Sequence, residues 1–423
     1  SCFLHKEFND TDMEGRGDRM GIGGNRRLDN SNLRASNVYV SRGRLDELSA
    51  YLCPDMTPNS FIISGGAGTD DRYEPLYEYF DAVIGRMPVI VLHNNDDYLV
   101  SMVYESWQNT AGQEGGSPLW VIDERFAEFE PFYGMGEMQL SLALRQLAQK
   151  LNYSVTPRFE RVVKAHAAIL EQLEIPISLS GLYYLCRFED MGEFYGNVMS
   201  LPGGEAQARR IWADLSVDVD TSNNQFDLFR SVIQNLAHDA EKSGWDYGRG
   251  ISELNCLQAI GSNAVMLLPV NDTYSEMLLP YLAEELKSAQ APFALIIDDV
   301  RICDEQFLKF LSHAKAGCAC GIVAENIVEL LNGEEEAFSS VAGRMSTLIV
   351  LKHGTGYAAA ALSETIGRYD YMKAEASTGT SRGFFKFLPQ DRHTDVRYSI
   401  ENRYRVMPEE ITSLRGGQAI VFN

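Results

Sequence analysis

The sequence has no run of about 18 apolar residues, the length a membrane-crossing helix requires, and no basic-then-apolar leader at its start. A soluble chain is expected, with any anchor lying outside these residues. Positive charge is scarce as well. Lys and Arg number 37 against 59 Asp and Glu, which sets the formal charge at −22. That balance repels nucleic-acid phosphates at long range, so the monomer alone is not expected to hold DNA. A locally basic strip or an assembled ring would have to concentrate its cations. Paired cysteine spacings are also missing. The seven cysteines are odd in number and widely spaced, as reduced thiols in a cytosol-like compartment would be. Cys318 and Cys320, with His313 nearby, lack the spacing of a zinc knuckle and no second pair follows. Buried strand cysteines are expected there, and no metal centre.

What is present is ordinary for a globular protein, with 45% hydrophobic and 23% charged residues. At 423 residues the chain exceeds the usual single core, so two or more domains are expected. Residues 1–35 are polar, and their GRGDRMGIGGNRR glycines follow no strand, which makes an exposed arm or loop. From 36 to 125 short apolar runs alternate with amphipathic segments. SNVYV, FIIS, PVIVLH and PLWVID read as strands, and YEPLYEYFDAVIGR and DYLVSMVYESW as helices. Between 126 and 260 only helical periods occur, including GEAQARRIWADL. A calcium-loop start at Asp218 fails, because Asn223 and Phe229 stand where Gly and Glu are needed. From 261 to 423 strands resume with AVMLLPV, FALIIDDV, CGIVAE, STLIVLK and QAIVF. The expected fold is α/β, a mostly parallel sheet flanked by helices and interrupted by an all-helical insert.

The stretch FIISGGAGTDDR, Phe61 to Arg72, begins as a phosphate-binding loop does: an apolar strand, a glycine-rich turn, then a helical pattern. In a working loop the backbone N–H groups surround the phosphates, a Lys neutralises the β and γ oxygens, and the adjacent hydroxyl holds magnesium. Gly65, Gly66 and Gly68 keep the permissive backbone and Thr69 follows, but Asp71 takes the Lys position and Arg72 the hydroxyl position. Two unit charges about 4 Å apart interact by roughly 4 kcal/mol at an effective dielectric of about 20, so Asp for Lys swings the attraction by roughly twice that before screening. A decayed nucleotide loop and an ordinary glycine turn are the two readings. FALIIDDV is the second signal. Its apolar run ends in Asp298, placed for magnesium, and Asp299, placed for a water-activating base though shorter than the usual Glu.

Taken in order, FIISGGAGTDDR, PVIVLHNNDDYL, EFEPFYG before the helical block, FALIIDDV, KAGCACGIVAENIVELL, LIVLKHGTGYAAAALSETIG and ENRYRVMPEEITSLRGGQAIVF carry a likeness over roughly residues 35–423. The chain resembles the soluble part of TraG/TraD-type coupling proteins, members of the FtsK/HerA group of P-loop motors that serve conjugation and type IV secretion. The resemblance implies a RecA/FtsK-like sheet with an inserted all-α domain, and a homo-oligomeric ring. It also implies relaxase, accessory or other secretion-machinery partners. The location it implies is bacterial cytoplasm, peripheral to the inner membrane through an anchor outside the chain. Gly65 to Arg72 then correspond to the phosphate loop, Asp298 and Asp299 to the Asp-Glu strand end, and Glu325 to a sensing Gln. Ala314 and Lys315 fall near an Arg that precedes a Gly, here Gly317, and the closing segment resembles a recognition region for accessory proteins. The Lys, the hydroxyl, the Glu, the Gln and the Arg are all altered.

Those five changes together point to a pseudo-ATPase without a cofactor, a docking or scaffold subunit of a DNA-transfer or secretion machine. One alternative is an active NTP-driven motor that borrows cations from a neighbouring subunit, for which alone ATP and magnesium would be cofactors. The other is an unrelated α/β binding protein. Three further features have plainer readings. His93 is expected to be a satisfied strand-end histidine, STGTSRG (377–383) a surface connection, and GEEE (333–336) a solvated helix surface.

Overall fold

The protein is described by a computed structural model covering residues 40–44, 49–53, 58–66, 68–94, 96–110, 116–122, 129–187, 191–200, 205–206, 209, 225–242, 253–271, 273–302, 304–313, 317–331, 335–354, 356–380 and 392–422. Its strands are β1 (Val40–Arg44), β2 (Phe61–Ser64), β3 (Val89–His93), β4 (Leu119–Val121), β5 (Val265–Pro269), β6 (Phe293–Asp298), β7 (Cys318–Ala324), β8 (Thr347–Val350), β9 (Arg368–Thr380), β10 (Arg392–Tyr404) and β11 (Gln418–Phe422). Nine of them form one sheet in the order β1-β11-β8-β2-β7-β6-β3-β5-β4. From β8 to β4 every neighbouring pair is parallel, while β11 runs antiparallel to β8 and β1 antiparallel to β11. This is the mostly parallel α/β sheet expected from the alternating pattern.

Buried on both faces, the central strands are continuous apolar runs, as parallel strands covered by crossover helices must be. Successive side chains point to opposite faces. Phe61, Ile63, Val89 and Val91 therefore join one core with helices Glu74–Val83 and Asp97–Thr110, whereas Ile62, Ile90 and Leu92 join the other. Helix Glu74–Val83 starts with Pro75 in its first turn, where no hydrogen-bond donor is lost. It buries Leu76, Tyr79, Phe80 and Val83 at helical spacing. Tyr79 meets Phe61 edge-on, ring centres 5.2 Å apart. Gly321 on β7 makes that possible: a Cβ there would stand 2.3 Å from the Phe61 ring.

Between β4 and β5 the described elements are the helices Glu137–Lys150, Pro157–Gln172, Leu179–Leu185, Met191–Met199, Gln225–Lys242 and Cys256–Gly261. An isolated parallel bridge, Phe129 to Leu254, closes the two ends of this stretch. Its apolar side chains, Leu144, Phe159 and Phe229 among them, form one continuous core with Ile90 and Leu92 of the sheet. The calcium-like stretch at Asp218 and most of GEAQARRIWADL lie outside the described residues, as does residues 1–35. None of the described helices is long and apolar enough to cross a membrane.

Of the strand expected at SNVYV, only Val40 is among the described residues, and it opens β1. One expectation is corrected. Ser377–Thr380, expected as a surface connection, is the end of β9, which pairs antiparallel with β10 in a two-stranded ribbon thirteen residues long on each side. Its polar sequence, with apolar residues too sparse to mark a core strand, hides it.

Two carboxylates are buried where helices begin. Glu130 accepts the Leu179 N–H at 2.5 Å and Glu285 the Leu257 N–H at 2.9 Å, so each satisfies a first-turn amide that has no partner inside its own helix. Burial pushes Glu130 up to about 7 and Glu285 up to about 8, the backbone N–H groups offsetting only part of that cost. A carboxyl raised in the folded state holds a proton that the unfolded chain has released, so its stabilising contribution is whole below about pH 4.5 and is lost as pH rises through about 8. Glu285→Gln keeps the acceptor and cannot ionise. We predict that its stability relative to the parent protein improves with pH, by about 1.4 kcal/mol for each unit between pH 5.5 and 7.5. Urea unfolding across that range measures it, and a pH-independent difference would refute the assignment.

Candidate functional site

The C-terminal ends of β2, β7, β6 and β3 converge, and the turns leaving them carry every residue singled out in the phosphate-loop and acidic motifs. Gly65, Gly66 and Gly68 all have positive φ, 111°, 75° and 74°. At Gly65 the constraint is steric as well, since a Cβ would stand 2.8 Å from the Leu351 carbonyl oxygen. Several of the loop amides bond within the chain. Gly65 donates to the Ala324 carbonyl and Gly66 to the Lys352 carbonyl, both at 2.9 Å, and Thr69 donates to the Gly66 carbonyl at 3.0 Å through its N–H and again through its hydroxyl. Residues Asp70–Arg72 then make a short 3-10 turn before helix Glu74–Val83 starts.

Asp71 does not occupy the place of a phosphate-loop lysine. Its carboxylate turns outward and accepts the Gly417 N–H at 3.2 Å, tying the loop to the turn before β11. Arg72 turns inward instead, with its side chain 9% exposed. Its guanidinium lies 2.8 Å from Asp299 Oδ2, 3.1 Å from Glu325 Oε1 and 3.7 Å from Asp96 Oδ2, and it donates to the Tyr73 hydroxyl at 2.8 Å. Glu325 Oε1 also receives the Gly68 N–H at 3.4 Å, the long limit of such a bond. One carboxylate oxygen thus stands before a loop amide and a guanidinium together, the pairing a phosphate oxygen would seek.

The other carboxylates are interlocked. Asp299 sits at φ 47°, a left-handed conformation that Asp tolerates better than most residues. Its Oδ1 accepts the Glu325 N–H at 3.0 Å, stapling the end of β6 to the end of β7. Tyr73 Oη lies 2.7 Å from Asp96 Oδ2 and 3.1 Å from Asp298 Oδ2. A single phenolic proton serves only one of them. Asp298 is fully buried, and desolvation, with the neighbouring Asp299 charge adding to it, pushes its carboxyl up to about 7 against the pull of Arg72. Below that pH Asp298 carries its own proton and donates to Tyr73, leaving the phenol free to serve Asp96. Asp96 is itself held below its usual range: burial opposes its charge, but the Tyr73 hydroxyl and the Leu99 and Tyr98 N–H groups outweigh that. Burial likewise opposes the charge of Arg72, and Asp299, Tyr73 and Asp298 together more than offset it.

Of the sequence-chosen residues, Arg72, Asp299, Glu325 and the Gly68 amide meet directly, Asp298 joins them through Tyr73, and Asp71 and Thr69 bond elsewhere. The sequence missed Asp96 and Tyr73, although the acidic NNDDY turn after β3 and the aromatic next to Arg72 were visible signals. His93 is not the satisfied histidine expected: it is 5% exposed, and neither ring nitrogen has a hydrogen-bond partner. Desolvation lowers it to about 4, so it is neutral, beside Asp298 in the β3–β6 register. A second buried pair braces the loop strand, Ser64 Oγ lying 3.2 Å from His353 Nε2 while it receives the Ile327 N–H at 3.3 Å. Cys318 and Cys320 fall on β7, with Cys320 buried. Lys315 and Ala314 lie outside the described residues.

With Asp298 protonated, three carboxylates face one guanidinium, a net charge of +1 − 3 = −2. Asp299, Glu325 and the Tyr73 hydroxyl take the terminal nitrogens of the guanidinium, while Arg72 Nε has no hydrogen-bond partner.

No protein-family model matches the chain, and no curated protein sequence matches it. Among solved structures, one described as a bacterial conjugative coupling protein, TrwBdeltaN70 in an unbound monoclinic form, superposes at a TM-score of 0.53 over 91% of this chain and 90% of that one, with 11% identity. The chain shares its fold with a conjugative coupling protein. VirB4 of Thermoanaerobacter pseudethanolicus is a more distant neighbour, at TM-score 0.41 and 10% identity over 73% of this chain and 80% of that one. At such identities the likeness speaks for the α/β architecture and for nothing chemical.

Replacing Arg72 by Leu would leave Asp96, Asp299 and Glu325 without their cation. A buried pair broken on one side costs about 3–5 kcal/mol, and the half-exposed Glu325 places this case near the lower end. We expect a loss of about 3 kcal/mol in urea unfolding at pH 7.5. The loss should shrink by pH 4.5 as the raised carboxyls of Asp298 and Asp299 take up protons. A loss under about 1 kcal/mol at both pH values would show that the cluster does not hold the strand ends.

Proposed function

We propose that this protein is a coupling-protein-like pseudo-ATPase, a docking or scaffold subunit of a conjugative DNA-transfer or type IV secretion machine. One observation supports the loss of nucleotide chemistry: the Arg72 guanidinium is ion-paired to Asp299 and Glu325 of the same chain, and Glu325 also takes the Gly68 amide. A nucleotide would have to displace both carboxylates and then meet a site with a net charge of −2, without a Lys to receive its phosphates. The coupling-protein fold supports the place in a transfer machine, and the chain's charge of −22 favours basic protein partners over direct contact with DNA. What the fold retains on this reading is its surfaces and its spacing of elements.

The test is a pair of measurements on the purified protein. Thermal unfolding with and without 5 mM ATP and magnesium should give the same midpoint, since a ligand that binds only the folded state must raise it. Phosphate release should equal the protein-free blank. A midpoint raised by several degrees together with steady turnover would establish a motor and end this reading.

A further inference from the structure

At the pole of the sheet opposite the glycine loop, where β6 and β7 begin, the surface opens into a cavity of about 470 Å³. Small-molecule sites span about 300–1,000 Å³. The floor is apolar, with Leu286, Phe293 and Phe310 buried beneath it. Its wall is fixed before any ligand arrives, because the Phe293 N–H donates to the Gly317 carbonyl at 3.0 Å and Gly317 takes a φ of 110°, which favours glycine. His313 and Cys318, which the sequence also brings near each other, both line this space. The imidazole is held in place by its Nδ1–H, which donates to the Lys309 carbonyl at 2.9 Å. Burial pushes the Cys318 thiol up to about 12, so it stays protonated and uncharged at neutral pH.

Among the described residues that line the cavity, Lys287 and Lys309 carry charge and no Asp or Glu stands with them. Each lysine has a partner outside the lining: Lys287 reaches Glu284 and Lys309 reaches Glu305, both at 2.6 Å. Each also sits in the last turn of its helix, Thr273–Ser288 or Glu305–Ser312, where it offsets the negative helix end. Neither role exhausts an ammonium group, which carries three N–H donors against one carboxylate. The Lys309 pair is 55% and 77% exposed on its two sides, and such pairs are weak, so a ligand's oxygens can share the lysine or replace the glutamate. Two ammonium groups beside an aromatic floor suit a flat apolar molecule ending in acidic oxygens. Its rings would bury against Phe293 and Phe310 while its oxygens receive the lysine N–H groups. We infer that this cavity binds a small aromatic acid, a carboxylate or sulfonate. It shares no residue with the glycine loop and holds whether or not that loop binds nucleotide.

The probe is 8-anilinonaphthalene-1-sulfonate, read by its fluorescence at pH 7.5, with N-phenyl-1-naphthylamine, the same rings without the sulfonate, as its neutral counterpart. The unaltered protein should bind the sulfonate saturably, one per chain. Ala291→Trp, at an exposed position of the lining, should fill the space and weaken both ligands at least tenfold while the urea midpoint stays unchanged. Lys287→Gln with Lys309→Gln should weaken the sulfonate about tenfold and change amine binding less than twofold. Lys164→Gln with Lys242→Gln removes two helix lysines that are likewise paired with carboxylates, and should change either affinity less than twofold. Absence of saturable sulfonate binding by the unaltered protein would overturn the proposal. Binding that survives Ala291→Trp would do so too, by placing the dye elsewhere. Equal losses from the two lysine pairs, or equal losses of sulfonate and amine, would also overturn it, because neither leaves a role for the two ammonium groups in holding an acid.

Discussion

One buried guanidinium organises the end of the sheet where a parallel α/β fold places its ligands. Arg72 is the only cation bonded to the carboxylates at the ends of β3, β6 and β7 among the described residues, and four acids converge there because the strands do. Parallel strands that share a direction bring their C-terminal turns together, so their polar residues must be neutralised jointly or kept protonated. The protein uses both means. Arg72 pairs with Asp299 and Glu325, and burial keeps Asp298 protonated up to about pH 7. Asp71, read from sequence as the residue that spoils the loop, acts elsewhere by holding the turn before β11. The charge balance beside the loop therefore depends on Arg72 and its partners more than on Asp71.

Much of this was legible before any coordinates. Continuous apolar runs such as FALIID and VIVLH admit few readings other than buried parallel strands, and their alternation with amphipathic helices fixed the fold class. The glycine turn, Asp298, Asp299 and Glu325 lie close together at the strand ends, as motif order along the chain implied. Side-chain direction was not legible. Whether Asp71 or Arg72 points inward depends on the 3-10 turn at Asp70–Arg72, a backbone choice with no sequence period. Tyr73 and Asp96 escaped notice because their roles arise only when β3 comes to lie beside β6. The β9–β10 ribbon escaped for the opposite reason, as it stands outside the main sheet and its sequence need not satisfy a two-sided core.

A site organised in this way needs no ligand to hold its shape. In a working phosphate loop the polyphosphate and its magnesium complete the electrostatics, and without them the strand-end carboxylates and the loop amides lack partners. Here the partners are internal: Glu325 stands before the Gly68 amide, Asp299 staples β6 to β7, and Tyr73 links Arg72 to Asp96 and Asp298. The same carboxylates that would handle metal and water in an enzyme are thereby committed to joining strands. A Lys placed at position 71 would leave this pairing as it is, because residue 71 turns toward Gly417 and away from the guanidinium and its acids. Removing Arg72 alone frees three carboxylates before it frees any donor. On the proposed reading the acids and the cation would have to change together for a nucleotide to enter, and a fold held by their mutual pairing resists each single step.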